Sequence, residues 1–145
     1  MDTEKYNDGP CPIARGLARV GDAWSMMVLR DAGLGLTRFD QFQKSLGIAP
    51  NILARRLAAL TAAGLLEKSR YSERPPRDEY VLTRAGRDFL PVLHAFGAWG
   101  GGTFGGGPMS RLVDAATGRA VEPVVVDRAT GRPVAEMALR VERPG

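Results

Sequence analysis

Asn51 and Arg55 stand four residues apart, a spacing that puts a carboxamide and a guanidinium on the same side of a helix. Asparagine can pair bidentately with the edge of adenine, and arginine with that of guanine. With Leu53, Leu57 and Leu60 turned inward, the outer side also carries Ala58, Ala59 and Ala62, small enough to let the helix enter a major groove. Arg56 falls on the flank, where a phosphate or an acid of the same chain would meet it. Further along, Lys68 and Arg70 precede Pro75-Pro76, and Arg74 and Arg77 flank it, while Arg38 lies ahead of the helix. Prolines stiffen such a tip, so its arginines reach a nucleic-acid backbone or minor groove with less lost entropy. The expected nucleic-acid contacts are therefore Asn51, Arg55, Arg56, Lys68, Arg70, Arg74, Arg77 and Arg38.

Other chemistry has little to work with. The chain has one histidine, His94, and one cysteine, Cys11, in 145 residues. That leaves no metal-ligand spacing and no intramolecular disulfide. The run Gly100-Gly-Gly-Thr-Phe-Gly-Gly-Gly107 has no following Lys-Ser/Thr and no preceding strand, so it does not read as a phosphate loop. No enzyme activity, catalytic residue, metal or cofactor is expected. The net charge is +4, and residues 36–77 hold eight Lys/Arg against three Asp/Glu. Such a concentration of positive charge suits a polyanionic partner. No apolar run is long enough for a bilayer, and Met1-Asp2-Thr3-Glu4-Lys5-Tyr6 is no secretory signal. A cytoplasmic protein without membrane association is expected.

The elements that must position these residues follow from apolar spacing. Residues 1–10 are polar and read as a flexible arm. Ile13, Leu17 and Val20 mark a first helix begun by Pro12, and Trp24, Met27 and Val28 a second, capped by Asp22. Thr37 reads as the cap of a short helix with Phe39, Phe42 and Leu46. Gly47-Ile48-Ala49-Pro50 is the turn into the helix from about Asn51 to Ala62, closed by Gly64. Leu65–Tyr71 and Asp78–Leu82 read as strands joined by a loop at 72–77. Thr83 caps a last helix with Phe89, Leu90, Leu93, Phe96 and Trp99 on one side. Two short helices joined by a glycine turn, followed by a hairpin, is the order of a winged helix-turn-helix.

Residues 100–108 read as a Gly-rich linker. Beyond them Asp114-Ala-Ala-Thr-Gly-Arg-Ala-Val and Asp127-Arg-Ala-Thr-Gly-Arg-Pro-Val repeat at an interval of 13 residues. Each Thr-Gly is a turn signal between β-formers, so residues 109–145 are expected to form a small meander packed on something larger.

Several segments together resemble the HxlR-type (MarR-related) family of winged-helix regulators. They are Cys11-Pro12-Ile13-Ala14, Gly21-Asp22-Ala23-Trp24, Leu29-Arg30-Asp31, Arg38-Phe39 and Gly47-Ile48-Ala49-Pro50. Leu53-Ala54-Arg55-Arg56-Leu57, Gly64-Leu65, Pro75-Pro76-Arg77, Glu79-Tyr80-Val81-Leu82-Thr83, Gly86 and Trp99-Gly100 continue the match over roughly 11–100. The resemblance implies an α+β fold, a winged helix-turn-helix with flanking dimerisation helices, here over residues 11–99, followed by the linker and meander. It implies a homodimer, joined through the N-terminal segment and the helix ending near Trp99, that binds paired half-sites of double-stranded promoter DNA. The family often has Gln where this chain has Arg55, which bears on the sequence that is read. Regulation of transcription, by repression, is the expected function. The alternative is a protein-interaction or small-ligand module that kept the fold without DNA. Cys11 matches a position that some members use as a redox sensor. Trp24, Phe96 and Trp99 are candidates for a small-molecule effector pocket, and equally for plain core.

Overall fold

The structure is a computed structural model that describes residues 4–145. Its chain divides into two compact units after Leu90. In the first, Pro12 opens α1 (Pro12–Val20), where a missing N–H costs nothing, and Cys11 Sγ accepts from the Ala14 N–H at 3.4 Å. Arg15 and Arg19 donate back to the carbonyls of Gly9, Asp8 and Asn7, so part of the expected arm is tied to α1. Residues 1–3 of that arm lie outside the described residues. The Asp22 carboxylate caps α2 (Ala23–Gly33) by accepting from the Ser25 N–H at 3.0 Å.

The cap of α3 (Phe39–Leu46) differs from expectation. Arg38, not Thr37, is the N-cap residue, and Gln41 Oε1 accepts from the backbone N–H groups of both at 3.0 Å. Thr37 is engaged elsewhere: its carbonyl accepts from the Tyr80 N–H at 2.7 Å. Gly47, at φ +62°, makes the left-handed turn that a side chain would strain, and α4 (Pro50–Ala62) follows. Val28, Leu29, Phe42, Leu53, Leu57 and Leu60 meet with no exposed surface, joined by Val20, Ile48 and Leu66. This core fixes the angle between α3 and α4.

The hairpin is tighter than the sequence suggests. Strands β1 (Leu66–Glu73) and β2 (Pro76–Leu82) pair antiparallel from Leu66 opposite Leu82 to Glu73 opposite Pro76. The expected loop at 72–77 shrinks to Arg74 and Pro75. Pro76 opens its strand, where a ladder donor is dispensable, and the Ser72 hydroxyl donates to the Pro75 carbonyl at 2.9 Å. Helix α5 (Arg84–Thr103) is stitched on at once. The Thr83 hydroxyl donates to the Gly64 carbonyl at 2.6 Å and accepts from the Gly86 N–H at 3.1 Å. A side chain at Gly86 would strike the Leu65 carbonyl.

Residues 91–145 depart further from the sequence reading. Gly100–Thr103 belong to α5 rather than to a linker, and Phe104 turns back so that its ring meets Trp99 edge-on at 5.4 Å. The expected meander has no strands. Each Thr-Gly turn does form, with Gly118 at φ +70° and Gly131 at φ +71°, but each closes on a single bridge, Val113 to Ala120 and Val126 to Pro133. The Asp114 and Asp127 carboxylates accept backbone N–H groups inside their turns. Pro133 has no N–H to extend its ladder. Thr130, donating its hydroxyl at 2.7 Å, holds the Asp127 carboxyl below its usual range. No residue in 91–145 is buried in this chain. Among the described residues, no helix is long and apolar enough to cross a membrane.

Candidate nucleic-acid interface

Packing of one side of α4 determines what the other can do. Leu53, Leu57 and Leu60 are fully buried, which leaves Asn51, Arg55, Ala58, Ala59 and Ala62 exposed along the opposite side. Asn51 lies in the first turn and Arg55 one turn on, with only methyl groups beyond them. Arg55 makes no ion pair or side-chain hydrogen bond among the described residues. Arg56, on the flank, has its Nε 3.5 Å from the Asp22 carboxylate, an ion pair without a hydrogen bond to the intramolecular acid that its position allowed. The same carboxylate caps α2, so this pair joins two helices of the motif.

The hairpin cations divide into two groups. Lys68 Nζ and Arg70 Nε approach the two oxygens of Asp78 at 3.5 and 3.4 Å, and Arg70 also meets Glu73 at 3.6 Å. Arg74 and Arg77, at and beside the tip, are exposed and make no ion pair among the described residues. Arg38 is neither free nor salt-bridged: its guanidinium lies 4.3 Å from the centroid of the Tyr71 ring. The eight expected contacts thus separate into Asn51, Arg55, Arg74 and Arg77, which are free, and Arg56, Lys68, Arg70 and Arg38, which have partners. All eight belong to the first unit, on α4, the hairpin and the cap of α3.

Sequence reasoning missed Asp78 and Tyr71. Asp78 lies directly across from Arg70 in the ladder, a pairing that becomes visible once the tip is placed at 74–75 rather than spread over 72–77. Tyr71 had no such signal.

The remaining candidates lie elsewhere. Cys11 is an exposed free thiol at the start of α1. Trp24 packs half-buried against the core of the first unit. Phe96 and Trp99 are 54% and 57% exposed on α5, their rings 5.7 Å apart. His94 is exposed on the same helix.

A helix, a glycine turn, a second helix with a cationic outer side and a basic hairpin define the class, a winged helix-turn-helix protein. The chain belongs to the HxlR-like helix-turn-helix family, whose model matches residues 19–105. It is 40% identical over 88 residues to an uncharacterized HTH-type transcriptional regulator of Mycobacterium bovis; the alignment covers 61% of this chain and 56% of that relative. The chain thus matches little more than half the length of that relative. A solved structure of a candidate transcription factor, PA1607, is 42% identical and has a TM-score of 0.86, covering 97% of this chain and 99% of its own. The redox regulator HypR in its reduced form is 27% identical with a TM-score of 0.62, covering 65% of this chain and 94% of its own.

Proposed function

We propose that the protein is a cytoplasmic, sequence-specific DNA-binding regulator of transcription that acts as a homodimer. One observation carries this reading: α4 presents an unpaired Asn51 and Arg55 on a thin exposed side, held rigid by three fully buried leucines behind it. Asn51 and Arg55 read base edges, and Arg74 and Arg77 hold the phosphate backbone from the hairpin. Lys68, Arg70 and Arg56 exchange carboxylate partners for phosphate on binding.

Two apolar surfaces support the dimer. Ile13 and Leu17 on α1 are 73% and 42% exposed, and Val92, Phe96 and Trp99 follow one another at i, i+4 and i+7 on α5, each more than half exposed. Apolar side chains at helical spacing with nothing over them mark surfaces made to be covered. Phe96 and Trp99 are assigned to this self-association rather than to a small-molecule effector. Repression needs no more than occlusion of a promoter by the bound dimer.

Selection of bound duplexes from a random pool tests the reading. Two inverted half-sites with centres about one helical turn apart are expected. Failure to retain any duplex at low salt would sink it.

A further inference from the structure

At Tyr71 the two strands of the hairpin fall out of step. Arg70 lies opposite Asp78 and Ser72 opposite Arg77, so Tyr71 has no residue across from it. A bulge of this kind bends a strand and redirects the side chain of the extra residue. Here the ring lies against the Arg38 guanidinium, 4.3 Å from its centroid. Arg38 caps α3 and bridges Glu79 through its backbone, and its neighbour Thr37 accepts from the Tyr80 N–H at 2.7 Å. Those two contacts hold the base of β2. The Tyr71 ring adds a contact from β1, only three residues before Arg74 at the tip.

Tyr71 is not needed for the core. The hairpin residues that pack there are Leu66, Tyr80 and Leu82, whereas Tyr71 is 36% exposed. An isolated two-stranded ribbon is only marginally stable and pivots about its base unless something braces it. We propose that Tyr71 is a positioning residue for DNA binding. Its bulged ring, stacked on Arg38, sets the angle of the hairpin so that Arg74 and Arg77 meet phosphates while α4 lies in the groove. This rests on the DNA-binding reading above. Arg38 then acts chiefly as the anchor of the hairpin rather than as a contact of its own.

The test is a set of anisotropy titrations over a salt series, on a duplex taken from the random-pool selection. Wild type, Tyr71→Phe, Tyr71→Leu, the double variant Arg74→Ala/Arg77→Ala, and that double variant with Tyr71→Leu added are compared. Leucine keeps an apolar strand residue but removes the ring face, so the hairpin folds while the stack is lost. Tyr71→Leu is expected to bind about tenfold more weakly, with a salt slope shallower by about one to two, as for one or two lost phosphate contacts. Tyr71→Phe keeps the ring face and stays within about twofold of wild type. In the double-variant background Tyr71→Leu adds nothing, because the arginines it aims are already gone.

Three results would overturn the inference alone: wild-type affinity in Tyr71→Leu, a Tyr71→Phe as weak as Tyr71→Leu, or a full additional loss in the triple variant. The second would make the hydroxyl itself a DNA contact, and the third would make Tyr71 act independently of the tip. Absence of binding by wild type as well would overturn the DNA reading, and this inference with it.

Discussion

Residues 4–90 and 91–145 solve opposite problems. The first unit buries a core, six of its apolar side chains completely, and leaves Ile13, Leu17, Leu34 and Tyr71 as its exposed large apolar groups. In the second no residue is fully buried: Phe104, Val124, Leu139 and Val141 are each 66% exposed or more, and short turns rather than a core set its path. A segment that keeps a defined path without a core of its own suits a surface completed by another molecule, whereas the first unit carries its own stability. Stability should therefore respond chiefly to substitution in the core of the first unit, and assembly to substitution at the exposed apolar residues of α5 and α1.

The largest expected effect tests the stability half of that contrast. Leu57→Ala is expected to lower unfolding free energy by about 3 kcal/mol, the usual cost of a cavity at a fully buried leucine. Val125→Ala, at a position 61% exposed, should change it by less than about 0.5 kcal/mol. Urea denaturation of the two variants side by side measures both, and equal losses would erase the distinction. Next comes assembly. Phe96→Asp should give a monomer in sedimentation and cut affinity for a two-half-site duplex by about a hundredfold through lost avidity. A dimer of unchanged affinity would move the self-association surface off α5.

Smaller effects sharpen the first unit's share. Arg55→Ala should weaken binding by about 2 kcal/mol, roughly thirtyfold, and relax preference at one base pair, read by competition with single-substitution duplexes. Asp78→Asn releases Lys68 and Arg70, and is expected to tighten binding to random duplex by about two- to fourfold, with a steeper salt dependence. Peroxide should shift the affinity of wild type but not of Cys11→Ser.

What the sequence could and could not say follows the same division. Where a core dictates structure, apolar spacing is enough: Leu53, Leu57 and Leu60 place α4 and thereby choose its outer side, and Asp22 caps α2 as its position suggests. Errors begin where backbone partners decide. Thr37 has the right chemistry for a cap, but its carbonyl is drawn into the hairpin. Pro75-Pro76 reads as a loop, although proline at the first position of a strand leaves the ladder intact. The glycines at 100–102 read as a linker because propensity says nothing of the Phe104 ring that folds back on Trp99. In the candidate site, charge and spacing nominated the cations. Which of them would be free depended on Asp22, Asp78 and Tyr71, whose proximity comes from tertiary packing and strand register.

The shared carboxylate of Asp78 has a consequence for how such a protein would find its target. Off an operator such a hairpin would be close to locally neutral at its base and cationic only at its tip, and would grip arbitrary genomic sequence weakly. The protein would then scan quickly. Only where Asn51 and Arg55 find their bases would it linger long enough for Lys68 and Arg70 to leave Asp78 for the backbone, which makes tight hold a result of recognition rather than its precondition.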